Sequence, residues 1–127
     1  MRVPPANPVV LIAEDDEDLR LLVSTTLRRE GYEVVEACDG AEALDLAGVH
    51  EPALAVLDIN MPHVDGVEVA ERLRAGSNQT QVIFLTAQTR RAELDRMFAT
   101  SPVAYIAKPF PLEKLREQVR AALAPAA

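Results

Sequence analysis

Five polar side chains that could hold a cation or a phosphoryl group follow short apolar segments of the chain. Glu14 and Asp15 follow the first segment, Asp58 the second, Thr86 the third and Lys108 the fourth. Carboxylates that meet in one crevice repel one another, and they need a counter-charge when they are ionised together. Oxygen ligands suit a hard cation such as Mg²⁺, which takes one or two carboxylates together with phosphate oxygens.

An aspartate beside such a cation can act as a nucleophile toward a phosphoryl group and form an acyl phosphate. Lys108 would then supply a second positive charge, and Thr86 a hydroxyl donor. Structural readings compete with these roles. An acid after a strand often caps a helix, which suits Asp16 or Asp18. A threonine often ends a strand because it is β-branched, and Lys108 before Pro109 fits a plain loop.

The apolar segments predict the strands that would position these side chains. None of the four alternates cleanly, so each is predicted to be a strand buried on both faces, as in a parallel sheet. A more polar segment, Glu33–Ala37, fits an edge strand. The four apolar segments are Val9–Ala13, Leu54–Leu57, Val82–Leu85 and Val103–Ala107.

Helical spacing of apolar residues fills the stretches between the strands. Gly31 stands just past the first of these stretches, where a C-terminal cap is expected. Strand and helix alternate five times, which predicts an α/β domain with right-handed crossovers. The five stripes are Leu19, Leu22, Val23 and Thr26; Ala43, Leu44 and Ala47; Val69, Ala70 and Leu73; Leu94, Met97 and Phe98; and Leu112, Leu115, Val119 and Leu123.

The length of 127 residues suits one domain with one core. We expect a flexible arm over residues 1–8, the domain over 9–123 and a tail over 124–127. In a doubly wound sheet, ligands bind at the carboxyl edge, where the strand order reverses. With the order 2-1-3-4-5, that crevice would lie between strands 1 and 3, between Asp15 and Asp58.

Charge and composition narrow the class of partner and the compartment. The net charge of −7 and the pI near 4.8 argue against nucleic-acid binding by this domain. No apolar run approaches the roughly 20 residues that span a bilayer, so no membrane contact is expected. A single cysteine, Cys38, gives no internal disulfide, and the cytoplasm is predicted. His50 and His63 are isolated, which does not favour a metal site.

Four stretches resemble the receiver domain of two-component response regulators, as in single-domain chemotaxis regulators. The resemblance covers residues 9–122 and implies a flavodoxin-like, doubly wound, five-stranded parallel sheet with five helices. It also implies a phosphorelay protein that assists its own phosphorylation and dephosphorylation and is not an enzyme with turnover. The stretches are Leu11–Asp16, Leu57–Gly66, Phe84–Ala87 and Tyr105–Phe110.

The resemblance implies that Asp58 is the phosphoacceptor and becomes a 4-aspartylphosphate. It implies that Asp15 binds Mg²⁺ directly, together with Asp58, and that Glu14 helps through water. The backbone carbonyl of Asn60 is the remaining implied protein ligand. A histidine kinase or histidine phosphotransfer protein is the implied donor.

The resemblance also implies how phosphorylation becomes a signal. Lys108 pairs with the phosphoryl group, and Thr86 moves to donate a hydrogen bond to it. Tyr105 is the switch aromatic that turns inward. Ala87 keeps access to the site open, and the Lys108–Pro109 bond is expected to be cis. The output would reach a downstream protein partner through the face of helix 4, strand 5 and helix 5. We expect a monomer or a weak phosphorylation-dependent dimer.

Two departures from the family pattern lie next to that output face. Thr100–Pro102 replaces a glycine-containing turn, which implies a stiffer loop beside helix 4. Val103–Ala104 replaces an acidic pair common in DNA-binding regulators, so their charged dimer is less expected here. Arg90 and Arg91, near the start of helix 4, form either a solvated face or a patch for partner docking.

Alternatives to a free-standing switch remain open from the sequence. The chain could be a receiver module of a larger regulator or hybrid kinase. A haloacid-dehalogenase-like phosphatase also uses an aspartate nucleophile with Mg²⁺, but it needs a second acid where this chain has Asn60. A nucleotide-binding domain would need a glycine-rich loop after a strand, and the sequence has none.

Overall fold

Strands and helices alternate along the chain in a computed structural model, which describes residues 8–76, 79–87 and 90–124. The arm predicted over residues 1–8 and the tail predicted over 124–127 therefore lie outside the described residues, except for Pro8 and Ala124. The strands are β1 (Val9–Ala13), β2 (Glu33–Ala37), β3 (Leu54–Asp58), β4 (Gln81–Thr86) and β5 (Ala104–Ala107), and the helices are α1 (Glu17–Arg29), α2 (Gly40–His50), α3 (Gly66–Ala75), α4 (Arg91–Phe98) and α5 (Leu112–Leu123).

The five strands form one parallel sheet with the order β2-β1-β3-β4-β5. This confirms the predicted doubly wound fold. The strand order reverses between β1 and β3, whose carboxyl ends pair in register at Ala13 and Leu57. The crevice that such a reversal creates therefore opens directly above Glu14 and Asp58.

Two layers of apolar side chains hold the helices against the sheet. One layer joins the sheet to α2, α3 and α4, and the other joins it to α1 and α5. Every residue of β3 is buried, because helices cover both of its faces. None of the described helices has the length and apolar character needed to cross a membrane.

Strand β5 departs from the prediction that each apolar segment is buried on both faces. Only Ile106 of this strand is buried, and Tyr105 is 46% exposed. The strand lies at the outer edge of the sheet, and Val103, assigned to it from the sequence, precedes it and is exposed. The edge position predicted for Glu33–Ala37 is confirmed.

The predicted apolar face of α1 is also partly wrong. Val23 and Thr26 are buried as expected, but Leu22 is 48% exposed and Leu27 takes the core position. Phe98, predicted to belong to the apolar stripe of α4, is likewise exposed.

Local signals place the helix ends where the sequence predicts them. The Asp16 carboxylate accepts a hydrogen bond from the Leu19 N–H at 3.2 Å and caps α1, which decides between Asp16 and Asp18. Gly31 follows α1 with a φ of 96°, in the left-handed region where glycine carries no steric penalty.

The turn before β5 puts a serine where backbone geometry favours glycine. Ser101 has a φ of 56°, in the left-handed region. Arg74 of α3 donates hydrogen bonds to the carbonyls of Thr100 and Ser101 at 2.9 and 3.0 Å. The hydroxyl of Thr100 donates to the carbonyl of Met97 at 2.7 Å. The turn is therefore fastened to both α3 and α4.

Candidate functional site at the carboxyl edge of the sheet

The polar residues predicted to share one edge of the sheet come together there. Asp58 ends β3 and Thr86 ends β4, while Glu14 and Lys108 each directly follow a strand. Thr86 is buried, and its backbone carbonyl accepts a hydrogen bond from the Lys108 N–H at 2.8 Å. Above them opens a polar cleft of about 470 Å³, lined by Glu14, Asp15, Asp16, Asp58, Asn60, Ala87 and Lys108.

Three carboxylates in this cleft are close enough to share a cation. Oxygens of Glu14, Asp15 and Asp58 all lie within 4.8 Å of one another. Asp15 is exposed, whereas Glu14 and Asp58 are only 1% and 4% exposed. An all-oxygen set of this kind fits a hard divalent cation such as Mg²⁺. Within residues 8–76, 79–87 and 90–124, it is the one group of three or more possible ligands that meets this distance criterion.

Lys108 joins two of these carboxylates. Its ammonium nitrogen lies 2.7 Å from Oε1 of Glu14 and 3.1 Å from Oδ1 of Asp58. Burial lowers the pKa of Lys108, but the hydrogen bonds and negative charges of Glu14 and Asp58 outweigh burial and raise that pKa above its ordinary value. The lysine is therefore cationic and adjacent to the Asp58 carboxylate.

The surroundings of Glu14 in this site raise the pKa of its carboxyl group. Burial raises the pKa of Glu14 to about 7. The nearby Asp58 adds to the increase, while hydrogen bonds from Lys108 and from the Asp16 N–H oppose it. Without further positive charge, Glu14 is thus poised between its neutral and ionised forms near neutral pH.

A glycine lets the next helix approach the phosphoacceptor candidate. The N–H of Gly66, the first residue of α3, donates to the carbonyl of Ile59 at 3.0 Å. A Cβ at Gly66 would run into the backbone carbonyl of Asp58. Asp65 caps α3 by accepting from the Glu68 N–H at 2.8 Å. The glycine and the cap together hold the start of α3 against the backbone of Asp58 and Ile59.

The comparisons with known proteins agree with this arrangement. The family model described as the response regulator receiver domain matches residues 10–120. The chain belongs to the response regulator receiver family.

Similar proteins fall into long regulators and short receivers. The transcriptional regulatory protein PdtaR of Mycobacterium tuberculosis is 40% identical over 107 residues, which are 84% of this chain and 52% of PdtaR. Sporulation initiation phosphotransferase F of Bacillus subtilis is 29% identical over 90% of this chain and 92% of its own length. The chain spans about half the length of PdtaR, of PrrA of Mycobacterium bovis and of PhoP of Bacillus subtilis.

Solved receiver structures have the same fold. The chemotaxis protein CheY4 of Vibrio cholerae superposes with a TM-score of 0.86, at 32% identity, over 93% of this chain and 100% of that one. The receiver domain of a Francisella response regulator gives a TM-score of 0.84 at 30% identity. Receiver domains of this family generally act as signalling switches and not as classical enzymes.

Two aromatic residues of the receiver pack together between α4 and β5. The rings of Phe98, at the end of α4, and Tyr105, in β5, are 5.4 Å apart and meet edge to face at 80°. Both side chains are exposed. The predicted switch aromatic is therefore turned outward in this structure, and it contacts α4.

An apolar cleft of about 440 Å³ adjoins the polar one and was missed by the sequence reasoning. The two clefts share Ala87 and Lys108. Periodicity predicts Leu22 to lie in the core, whereas it is exposed and lines this cleft. The Lys108–Pro109 bond within this cleft is cis, as predicted. The remaining lining residues are Leu19, Leu22, Phe110 and Leu112.

Proposed function

We propose that this receiver is a phosphorylation-driven switch in which Asp58 accepts a phosphoryl group from the phosphohistidine of a histidine kinase or phosphotransfer protein. One observation carries the proposal. The buried Asp58 carboxylate lies at the switch point of the sheet, 3.1 Å from the Lys108 ammonium and close to Glu14 and Asp15.

The proposed transfer uses the side chains already in place. Glu14, Asp15, Asp58 and the carbonyl of Asn60 would hold Mg²⁺, which supplies positive charge for the phosphoryl oxygens when bound. An Asp58 oxygen forms a bond to phosphorus as the bond from phosphorus to the donor's imidazole nitrogen breaks and its electron pair stays on that nitrogen. Lys108 can then pair with a phosphoryl oxygen through its ammonium group.

The apolar cleft would receive the protein donor. Leu22 lines this cleft, and the shared residues Ala87 and Lys108 place it beside Asp58. A donor that packed apolar side chains here would bring its phosphohistidine to the polar cleft. An exposed apolar surface next to a reactive site is typical of a protein interface.

Two neighbouring leucines of α1 test the docking surface. Leu22 is 48% exposed and lines the cleft, whereas Leu21 is 58% exposed and does not. We expect Leu22→Ser to slow phosphoryl transfer from an autophosphorylated histidine kinase that labels the wild-type chain, and Leu21→Ser to leave the rate unchanged. Labelling by acetyl phosphate should be equal in both variants, because that donor needs no docking surface.

The proposed output passes from Thr86 to Tyr105. Phosphorylation adds about two negative charges, so the pocket must recruit new donors. The Thr86 hydroxyl would move to donate a hydrogen bond to the phosphoryl group. Tyr105 would then turn inward and lose its contact with the Phe98 ring. The face formed by α4, β5 and α5 would change and be read by a downstream protein partner.

Acetyl phosphate with Mg²⁺ tests the phosphoacceptor directly. The full chain should gain one phosphoryl group by intact mass, and Asp58→Ala should gain none. Asp45→Ala, at an exposed aspartate of α2, is the matched control and should be labelled like the wild-type chain. Labelling that maps to another residue would refute the assignment. Sustained turnover of phosphate esters would instead support the phosphatase alternative.

The proposal holds for a free-standing receiver and for a module of a larger regulator or hybrid kinase. The chain covers 92% of phosphotransferase F but 52% of PdtaR. Both kinds of relative therefore match at the level of the receiver domain.

A further inference from the structure

The backbone that carries Glu14 and Asp15 lies outside the hydrogen-bond ladder of the sheet. Strand β1 ends at Ala13 and α1 begins at Glu17. The Glu14 N–H still donates to the carbonyl of Ala37 at 3.1 Å. The Asp16 N–H also donates to the Glu14 carboxylate at 3.2 Å, and the peptide between Glu14 and Asp15 is held further through the Glu14 carbonyl.

Arg20 of α1 binds that carbonyl. Its Nη1 donates to the Glu14 carbonyl oxygen at 2.9 Å, and its Nε lies 3.5 Å from Oε1 of Glu36 in β2. The other carboxylate oxygen of Glu36 is held by Nη2 of Arg28 at 3.0 Å. The Arg20 side chain is only 18% exposed, so these contacts are partly protected from water.

The shape of the guanidinium makes this contact directional. Its donors point in fixed directions within one plane, so one guanidinium can hold a carboxylate and a carbonyl in a defined relation. Glu36 lies on β2, which pairs with β1 through Ile12. Arg20 thereby transmits the rigid geometry of the sheet to the turn that presents Asp15.

We propose that Arg20 is a positioning residue for the cation site, which rests on the proposed function. Arg20 holds the peptide between Glu14 and Asp15 so that the exposed Asp15 carboxylate joins those of Glu14 and Asp58. Without that hydrogen bond, the peptide between Glu14 and Asp15 loses one of its anchors, and the Asp15 carboxylate is held less firmly beside those of Glu14 and Asp58. Outer partners of metal ligands commonly change metal affinity by about 10- to 100-fold.

Mg²⁺ titration of the full chain, followed by the NMR amide shifts of residues 14–16 and 58, tests this role. Arg20→Gln should raise the Mg²⁺ dissociation constant at least about tenfold. It should also shift the Asp15 and Asp16 amides before Mg²⁺ is added. Arg28→Gln is the matched control, because Arg28 binds the same Glu36 but not the Glu14 carbonyl, and its dissociation constant should match the wild type.

Arg20→Lys separates position from charge. A lysine keeps the positive charge but cannot hold Glu36 and the Glu14 carbonyl in one plane, so Mg²⁺ binding should remain weak. Loss of the Arg20 charge alone would favour a cation at this site. Wild-type affinity in Arg20→Lys, together with weak binding in Arg20→Gln, would overturn the positioning role of the planar guanidinium.

Glu36→Gln provides a second route to the same conclusion and leaves Arg20 in place. It should weaken Mg²⁺ binding less than Arg20→Gln does, and the double variant should bind no more weakly than Arg20→Gln alone. Additive losses of Mg²⁺ affinity would overturn the proposal.

Asp15→Asn separates the role of Arg20 from the existence of the site. If Asp15→Asn leaves Mg²⁺ binding unchanged, the proposed cation site is overturned, and the role of Arg20 with it. If Arg20→Gln binds Mg²⁺ with wild-type affinity while Asp15→Asn binds it more weakly, the role of Arg20 is overturned and the cation site is retained.

Discussion

The ammonium nitrogen of Lys108 lies 2.7 Å from Oε1 of the buried Glu14. The contact spans almost the whole chain and joins the residue after β1 to the residue after β5. It supplies positive charge to a carboxyl group whose pKa is raised to about 7, mainly by burial, and the hydrogen bond from Lys108 opposes that increase. The ionisation of Glu14 is therefore linked to the stability of the fold.

Glu14 should make the metal-free protein less stable as the pH rises. Its ordinary pKa is 4.5 and its folded pKa is about 7, so between these values the folded state binds more protons than the unfolded chain. Stability then falls as the pH rises through that window, and the penalty is complete above it. Glu14→Gln should remove the penalty, so its stability relative to the wild type should increase from about pH 5 to about pH 8.

Urea denaturation with a chelator present at both pH values measures that difference. Glu17→Gln, at an exposed carboxylate in the first turn of α1, is the control: it retains Glu14, so its stability should fall with pH as that of the wild type does. A stability difference between Glu14→Gln and the wild type that is the same at both pH values would contradict the prediction.

Asp15→Asn should weaken Mg²⁺ binding and labelling by acetyl phosphate together. The amide retains the size of the carboxylate and loses its charge, so we expect at least about tenfold weaker binding, or about 1.4 kcal/mol. Calorimetric titration gives the affinity. Asp18→Asn, the same substitution at an exposed aspartate in the first turn of α1, should bind Mg²⁺ like the wild type. Equal affinities in the two variants would remove Asp15 from the site.

Gly66→Ala should destabilise the fold, because its methyl group would meet the Asp58 carbonyl. Overpacking of this kind costs about 1–3 kcal/mol, and the displaced backbone should also slow labelling of Asp58. Gly48→Ala is the opposite control, since a Cβ there has no neighbour within 4 Å. In that exposed position of α2, alanine should stabilise the protein by about 0.5–1 kcal/mol. Thermal denaturation and labelling rates of both variants check the pair.

Thr86→Ala should still accept a phosphoryl group on Asp58, but the conformational change should not reach Tyr105 and α4. Tyr105 packs edge to face on Phe98 in the outward position. With beryllofluoride as a phosphoryl mimic, amide NMR shifts in the wild type should extend to Tyr105 and along α4. In Thr86→Ala they should stay near Asp58. Equal propagation in both proteins would show that Thr86 is not the coupling residue.

Ser101→Gly should stabilise the turn before β5 by about 1 kcal/mol, because it relieves a left-handed residue of its Cβ. The bonds from Arg74 go to backbone carbonyls and are retained. Ser101→Ala keeps the Cβ and should give no such gain. Denaturation midpoints of the two variants measure the effect. Equal midpoints would show that the Cβ at position 101 does not destabilise the turn.

The sequence predicts the fold and the members of the site because both depend on local patterns. The strand and helix segments follow from periodicity, and capping chemistry narrows the cap of α1 to Asp16 or Asp18. The parallel strand order brings Glu14, Asp58 and Lys108 to one edge, which is a consequence of topology. Their roles in phosphoryl transfer stay predictions until the labelling experiments are done.

What the sequence does not predict depends on contacts between distant elements. The exposure of Leu22 follows from how α1 is rotated against α5, and periodicity does not encode that rotation. The exposure of β5 follows from its place at the edge of the sheet. Arg96 of α4 binds the α3-capping Asp65 at 3.2 Å across 31 positions, and no local motif marks such a pair.

The combined charge of Lys108 and the three carboxylates affects whether a cation or a phosphoryl donor enters the cleft first. With all groups ionised, three negative charges and one positive charge leave a formal charge of −2 in the cleft. A divalent cation brings that total to zero, whereas a phosphoryl donor that arrives first adds negative charge to a cleft that already has an excess. We therefore expect a cation to be favoured as the first ligand of this cleft. High ionic strength should weaken that preference, and it should screen the buried Glu14 and Asp58 less than the exposed Asp15.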